Sequence, residues 1–381
     1  MAHVLVLGGG FGGLAAAHEL RRRLPPGDEI TLIASSDRFF VGFAKLWDLV
    51  GRRSLAEGSR PLDRLAEHGI RYVRAEITAI DADARAVETT AGALRGDGLV
   101  IALGAGHQPK HTALLSPGGH NLYDAAALPQ IRAALAALTD GTLLVSILGA
   151  PYLCPPAPFE AALLLDEWLR ERGLRDRVDV VVSTPAPLTL PVAGPDASRY
   201  LADWLTERGV TVLTEHPVES IDHGARAVRF AGGKTLEWGL LLGVPAAAPP
   251  PVVAASTVGG PAGWIHPDRL SFATSAERVY AVGDCTQIPT ASAQLPKAGV
   301  FAEAAGEVAA ANLAADLHGG ERAAFDGHGF CFLELPGRKV ASVAGDFYAE
   351  PRPDVTINPP DDSSFAGKQR WEQQRLTTWL G

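Results

Sequence analysis

Cys154 opens the segment Cys154-Pro155-Pro156-Ala157-Pro158-Phe159-Glu160, a thiol directly before two prolines with a carboxylate close behind. Proline suits the first helical position, so a helix is expected to start at Pro155 or Pro156 with its N-terminus beside the sulfur. That placement stabilises a thiolate, the reactive form of cysteine. Glu160 either exchanges a proton beside the sulfur or complements the helix dipole near its start; the spacing serves both. A second chemical signature lies at the N-terminus, in Gly8-Gly9-Gly10-Phe11-Gly12-Gly13. There Gly8 permits a tight turn, Gly10 and Gly12 leave backbone bare for a pyrophosphate, and Gly13 lets a helix approach its strand. A glycine-rich turn without ligand is the bland alternative. The run follows a strand and opens a helix, however, which is the context a phosphate cradle requires. The acid expected about 20 residues on, for a ribose hydroxyl, is replaced by Ala34, Ser35 and Ser36, so Ser35 is the candidate in its place.

The elements that position these residues follow from hydrophobic patterning. His3–Leu7 is an apolar run without alternation, as in a central parallel strand, and Leu14–Leu24 is a helical pattern ended by Pro25-Pro26-Gly27. Residues 30–33 complete a βαβ unit, and residues 99–103 form another buried strand closed by Gly104. A second strand, turn, helix and strand spans 142–148, 149–156, 159–172 and 179–182, followed by a helix over 198–208. The Pro/Ala-rich stretch 245–251 crosses back. Residues 279–282 form a strand ending in Gly283-Asp284, and 299–317 a helix. Residues 330–334 and 340–347 are expected as antiparallel strands. The fold class predicted is α/β: two Rossmann-like dinucleotide-binding domains with a small C-terminal α+β domain. Its divisions are expected at 1–106, 107–245, 246–320 and 321–381.

The second unit carries a changed turn. Gly149-Ala150-Pro151-Tyr152-Leu153-Cys154-Pro155-Pro156 keeps one glycine, and its prolines remove N–H donors that a pyrophosphate would use. Reduction by a nicotinamide nucleotide is therefore disfavoured. Bulk composition agrees with a folded α/β protein: 381 residues, 47% hydrophobic, and a net charge of −9. The acidic balance and the lack of a basic patch argue against a nucleic-acid partner. No stretch approaches the roughly 18 apolar residues that span a bilayer, and the chain enters a strand at once, so a cytoplasmic location is expected. Three cysteines make no disulfide scaffold, and no metal centre is expected.

The run Val279-Tyr280-Ala281-Val282-Gly283-Asp284 resembles FAD-dependent disulfide-oxidoreductase-like flavoproteins. The resemblance implies FAD as cofactor, with Asp284 on the ribityl chain and Gly104 and Gly283 beside the cofactor. Lys297 then opens a helix, in Pro296-Lys297-Ala298-Gly299, whose N-terminus stabilises negative charge on reduced flavin. Taken alone, Asp284 would be a turn residue. Cys154–Leu165, with Asp37–Trp47 and Pro296–Glu303, is similar to sulfide:quinone oxidoreductases and to the flavoprotein subunit of flavocytochrome c sulfide dehydrogenase. That similarity implies oxidation of sulfide or a small thiol through a Cys154–Cys331 redox pair. Electrons then pass through the flavin to a quinone or a cytochrome. Cys285 is read instead as a packed thiol, and two thiols that never meet is the structural alternative for the pair. Residues 1–153 hold no cysteine, so the third redox cysteine of the quinone-reducing members is absent, as is a thioether link to FAD from that region. The tail offers Trp371, Leu376, Trp379 and Leu380 as an apolar face, more often packed on its own protein than on a membrane. Peripheral membrane contact and a homodimer are left open. Two rival functions share the fold: a single-subunit NADH dehydrogenase, and a flavin-binding partner subunit that turns nothing over.

Overall fold

Strand β1 (His3–Leu7) is buried along Val4–Leu7, and a strand covered on both faces has no polar side to present. A computed structural model describes residues 1–381 apart from Pro261, Ser292 and the side chain of Ala293. Helix α1 (Phe11–Arg23) begins inside the glycine run, earlier than the apolar pattern alone predicts. The reason is steric: a Cβ at Gly13 would lie 1.9 Å from the Gly8 carbonyl oxygen, so glycine lets the helix start hard against its strand. Strands β2 (Glu29–Ala34), β3 (Arg71–Arg74) and β4 (Gly98–Ile101) join β1 in parallel, with Leu5 opposite both Thr31 and Leu99. The short helix α2 (Ala44–Leu49) lies between β2 and β3 in sequence.

The chain then crosses to a second parallel sheet. It contains β5 (His120–Asn121), β6 (Gly141–Ile147), β7 (Val178–Ser183), β8 (Thr211–Leu213) and β9 (Leu240–Val244), in the order β5-β9-β6-β7-β8. Helix α3 (Ala157–Glu171) follows β6 and α4 (Gly194–Glu207) follows β7. Outward and return crossings run side by side, Gly106 and His107 pairing antiparallel with Ala248 and Ala247. Strand β10 (Val279–Ala281) then enters the first sheet beside β4, giving the order β10-β4-β1-β2-β3. Helix α5 (Gly299–His318) packs along α1, and Gly306 lets the backbones close, since a Cβ there would meet the Gly12 carbonyl at 2.4 Å.

Strands β11 (His328–Leu335) and β12 (Lys339–Asp346) are antiparallel, with Cys331 opposite Val343. Strand β13 (Asp354–Asn358) adds to β12, and helix α6 (Ser364–Leu380) ends the chain. Neither β13 nor α6 is predicted from the sequence. The architecture is the expected one: two parallel-sheet Rossmann-like cores and a small α+β C-terminal piece. Two antiparallel insertions, within 77–95 and 218–237, also escape sequence reading because their strands are short and half exposed. The expected apolar face of the tail is turned inward, with Leu376, Trp379 and Leu380 buried in the core shared with α1. Among the described residues no helix is long and apolar enough to cross a membrane.

Candidate active site

The glycine run, the strand ends and the C-terminal sheet enclose a cleft of about 620 Å³. Gly8 sits at φ +111°, where a side chain is disfavoured, and a Cβ there would lie 2.2 Å from the Ala102 carbonyl. Gly10 is different: a Cβ built on it meets nothing within 4 Å, so its backbone faces the open cleft. It also caps α1 without a side-chain bond, leaving first-turn N–H groups for an anion. Gly12 lines the cleft as well, whereas Gly13 stands behind the wall and serves packing. Ser35 lines the cleft at the end of β2, exposed and without a hydrogen-bond partner among the described residues. Ser36, by contrast, is committed to its own turn through Arg38.

Gly104, Gly283 and Asp284 line the opposite side. Burial raises the Asp284 carboxyl above its ordinary pKa, with the Lys297 charge acting against the rise. Lys297 also lines the cleft, but its ammonium donates to the Asp284 and Thr286 carbonyls at 2.7 and 2.9 Å and sits 3.9 Å from the Trp264 ring centroid. Its charge therefore ties the Gly-Asp turn to the start of α5. The N-terminus of α5 opens into the cleft at Ala298–Val300. A bare glycine backbone, a free helix start, a free serine hydroxyl and an acid at the far end suit an elongated dinucleotide with a pyrophosphate at its middle.

Cys154 and Cys331 both line this cleft, Cys154 exposed to it and Cys331 partly so; both are free thiols. Cys285 is buried outside the lining, its thiol directed at the Val282 and Ile101 carbonyls, in keeping with a packing role. Cys154 adopts φ +43°, unusual for a residue with a side chain. Its N–H donates to the Lys297 carbonyl at 2.8 Å, and its own carbonyl accepts from Ala157 N at 3.0 Å and the Tyr123 hydroxyl at 3.2 Å. The second sheet thus presents a cysteine whose backbone is pinned to the first domain.

Opposing effects act on the Cys154 thiol. Although the side chain is open to the cleft, the surrounding walls desolvate it: this desolvation pushes the Cys154 thiol up to about 12, and Glu160 adds to the rise against the opposing charges of Lys368 and Lys45. The helix starts at Ala157, and the N–H of that first helical residue acts on the sulfur in the expected direction, lowering the pKa, as the smallest of these effects. Burial likewise raises Cys331, with Cys154 and Glu160 contributing, so the two sulfurs lie within electrostatic range of each other.

Glu160 is buried, and burial raises its carboxyl above the usual range. Its Oε1 accepts from Glu334 N at 2.7 Å and stands 3.4 Å from Lys368 Nζ; Oε2 has no partner among the described residues. Lys368, on α6, is fully buried and 2.7 Å from Glu334 Oε2. Burial works against its charge, yet Glu334 and Glu160 hold its pKa above the ordinary value. Glu334 also accepts from Trp47 Nε1 at 2.9 Å and from Arg52. Sequence reading missed Lys368, Lys45 and Tyr123. Each is a single residue without a local motif, brought to the sulfurs only by tertiary structure. Facing this charged cluster is an aromatic wall of Phe43, Phe330, Phe332 and Trp371, with Phe332 and Trp371 edge to face at 5.6 Å.

The turn after β6 holds no cradle of the first kind. A Cβ at Gly149 would meet the His111 ring at 2.5 Å, and His111 accepts from Ala246 N, so a side chain stands against the one glycine of this turn.

Known proteins resemble this chain in sequence and in fold. The chain is 24% identical over 303 residues to the mitochondrial sulfide:quinone oxidoreductase of Mus musculus, covering 75% of this chain and 66% of that protein. It is 32% identical over 192 residues to the sulfide-quinone reductase of Aquifex aeolicus, covering 48% of this chain and 43% of that one. Both alignments span less than two thirds of the relative's own length. The X-ray structure of the sulfide:quinone oxidoreductase from Aquifex aeolicus superposes with a TM-score of 0.89 at 25% identity, over 100% of this chain and 92% of that chain. Residues 2–306 match the sequence profile of one family, and with the glycine cradle, the Gly-Asp strand end and the paired sheets in place, the chain belongs to the pyridine nucleotide-disulphide oxidoreductases.

Proposed function

We propose that this chain is an FAD-dependent oxidoreductase that oxidises hydrosulfide, or a small thiol, and delivers the electrons to a quinone. The observation that carries the reading is that Cys154 and Cys331, from separate domains, line the same cleft as the glycine cradle. FAD, when bound, supplies a two-electron acceptor that thiols alone lack. Gly8, Gly10, Gly12 and the start of α1 hold its pyrophosphate, Ser35 its ribose, and Asp284 with Gly104 and Gly283 the chain toward the ring. The N-terminus of α5 favours negative charge at its end of the cleft.

The sulfur chemistry follows from the thiols. With Cys154 and Cys331 oxidised to a disulfide, hydrosulfide attacks one sulfur, which becomes a persulfide as the S–S bond breaks, and the other leaves as thiolate. The thiolate released holds the electron pair that FAD, when bound, would accept. Glu160, its carboxyl also raised and its Oε2 free, takes the proton that the substrate sulfur releases. The wall of Phe43, Phe330, Phe332 and Trp371 offers a flat quinone ring a stacking surface. Transfer from a nicotinamide nucleotide fits less well, because a side chain stands against the one glycine of the turn after β6.

Anaerobic titration of the purified flavoprotein separates the readings. Sulfide is expected to bleach the flavin at least 100 times faster than NADH at equal concentration. Faster bleaching by NADH would overturn the proposal, and reduction by sulfide without turnover on added quinone would point to a partner subunit.

A further inference from the structure

Four cationic side chains line the cleft, and three are committed. Lys368 is paired with Glu334 and Glu160, Lys297 donates to two carbonyls, and Arg38 is bonded to Ser59. Lys45, on α2, is not. Its ammonium donates one hydrogen bond, 2.7 Å to the Tyr123 carbonyl, and no carboxylate stands within ion-pairing distance among the described residues. The same Tyr123 bonds the Cys154 carbonyl through its hydroxyl, so Lys45 and Cys154 are joined to one residue from its two ends. Burial lowers the Lys45 pKa, while the Cys154 sulfur and Asp124 pull it back, which places the ammonium within electrostatic range of that sulfur. Asp124 is exposed and already accepts from Ala126 N.

A second unmet group stands nearby. The Nδ1 of His107, on the outward crossing, is buried without a partner, and its ring lies 6.4 Å from that of Tyr123. Burial lowers the His107 pKa and the Lys45 charge lowers it further; the ring itself is not part of the cleft lining. The Lys45 ammonium also lies 5.5 Å from the Tyr123 ring centroid, and one carbonyl with one ring face leaves a desolvated charge without an anionic partner among the described residues.

We propose that Lys45 binds the substrate as an anion, hydrosulfide, beside Cys154, and so selects the ionised sulfur nucleophile over neutral H₂S. No bond forms or breaks in this step; the ammonium lowers the free energy of the bound anion and orients it toward the disulfide. The inference rests on the sulfide-oxidising reading of the same cleft. Thiocyanate serves as an unreactive anionic probe that does not depend on that reading.

Wild-type protein is expected to bind thiocyanate in competition with sulfide, seen as a saturable shift of the flavin spectrum. In Lys45→Met the thiocyanate shift should be lost, and KM for sulfide should rise at least tenfold with kcat within about threefold. Lys45→Arg should restore most of both. Absence of a thiocyanate shift in wild type overturns the proposal whatever the variants do. So does a Lys45→Met protein with unchanged KM, or one whose kcat falls while KM and thiocyanate binding stay, since that pattern marks a prop for Tyr123 and no anion site. Failure of wild-type sulfide to reduce the flavin, with the thiocyanate shift intact, would sink the functional reading and leave Lys45 as an anion site.

Discussion

Cys154 combines a left-handed backbone, three backbone hydrogen bonds and a thiol whose proton is hard to remove. Burial is the main cause, and the neighbouring Glu160 carboxyl adds to it. The sign of the pH effect follows. A thiol with a raised pKa carries less thiolate at neutral pH than a free cysteine, and the thiolate fraction keeps climbing about tenfold per pH unit where an ordinary thiol, with pKa about 8.5, has levelled off. In the reduced protein, alkylation of Cys154 by iodoacetamide should therefore be at least tenfold slower than that of glutathione at pH 7.5. It should also still be rising between pH 9 and pH 10. Site-resolved mass spectrometry measures it, and a plateau below pH 8 would mean that the sulfur is stabilised as thiolate after all. The residues legible beforehand were those whose chemistry is local. The glycine run, Asp284 and the cysteine before prolines each carry their signal in a few adjacent positions. Lys45, Tyr123 and Lys368 do not, and the electrostatic balance at Cys154 depends on burial that no short segment encodes.

At the scale of elements, α6 is held by charge inserted into the core. Lys368 brings its ammonium between Glu160 of α3 and Glu334 of β11, and Arg53 pairs with Glu372 on the next turn. Removing the cation leaves two buried carboxylates facing each other, and breaking a buried pair in this way costs about 3–5 kcal/mol. Lys368→Met should lose about that much stability in urea unfolding followed by far-UV circular dichroism. Loss of less than 1 kcal/mol would show that the carboxylates simply take up protons. Strands such as β1 and β6 were readable because buried parallel strands are unbroken apolar runs. Helix α6 was not, since its apolar stripe is short and its anchoring is ionic. Its apolar residues were nonetheless correctly expected to pack on their own protein.

In the whole molecule, two parallel sheets are joined by crossings that pair with each other, and residues of the C-terminal sheet line the cleft together with residues of both. That arrangement brings Cys154 from the second sheet and Cys331 from β11 to a cleft founded on the first. Order along the chain suggests the duplication of βαβ units, while the placing of both cysteines on one cleft depends on how the crossings orient the sheets. The central claim is that sulfide's electrons leave through these two sulfurs. Rapid anaerobic mixing of sulfide with the wild-type, Cys154→Ser and Cys331→Ser flavoproteins tests it most directly. Each variant should retain FAD and lose at least 100-fold in the rate of flavin bleaching; bleaching at the wild-type rate in either variant would contradict the account.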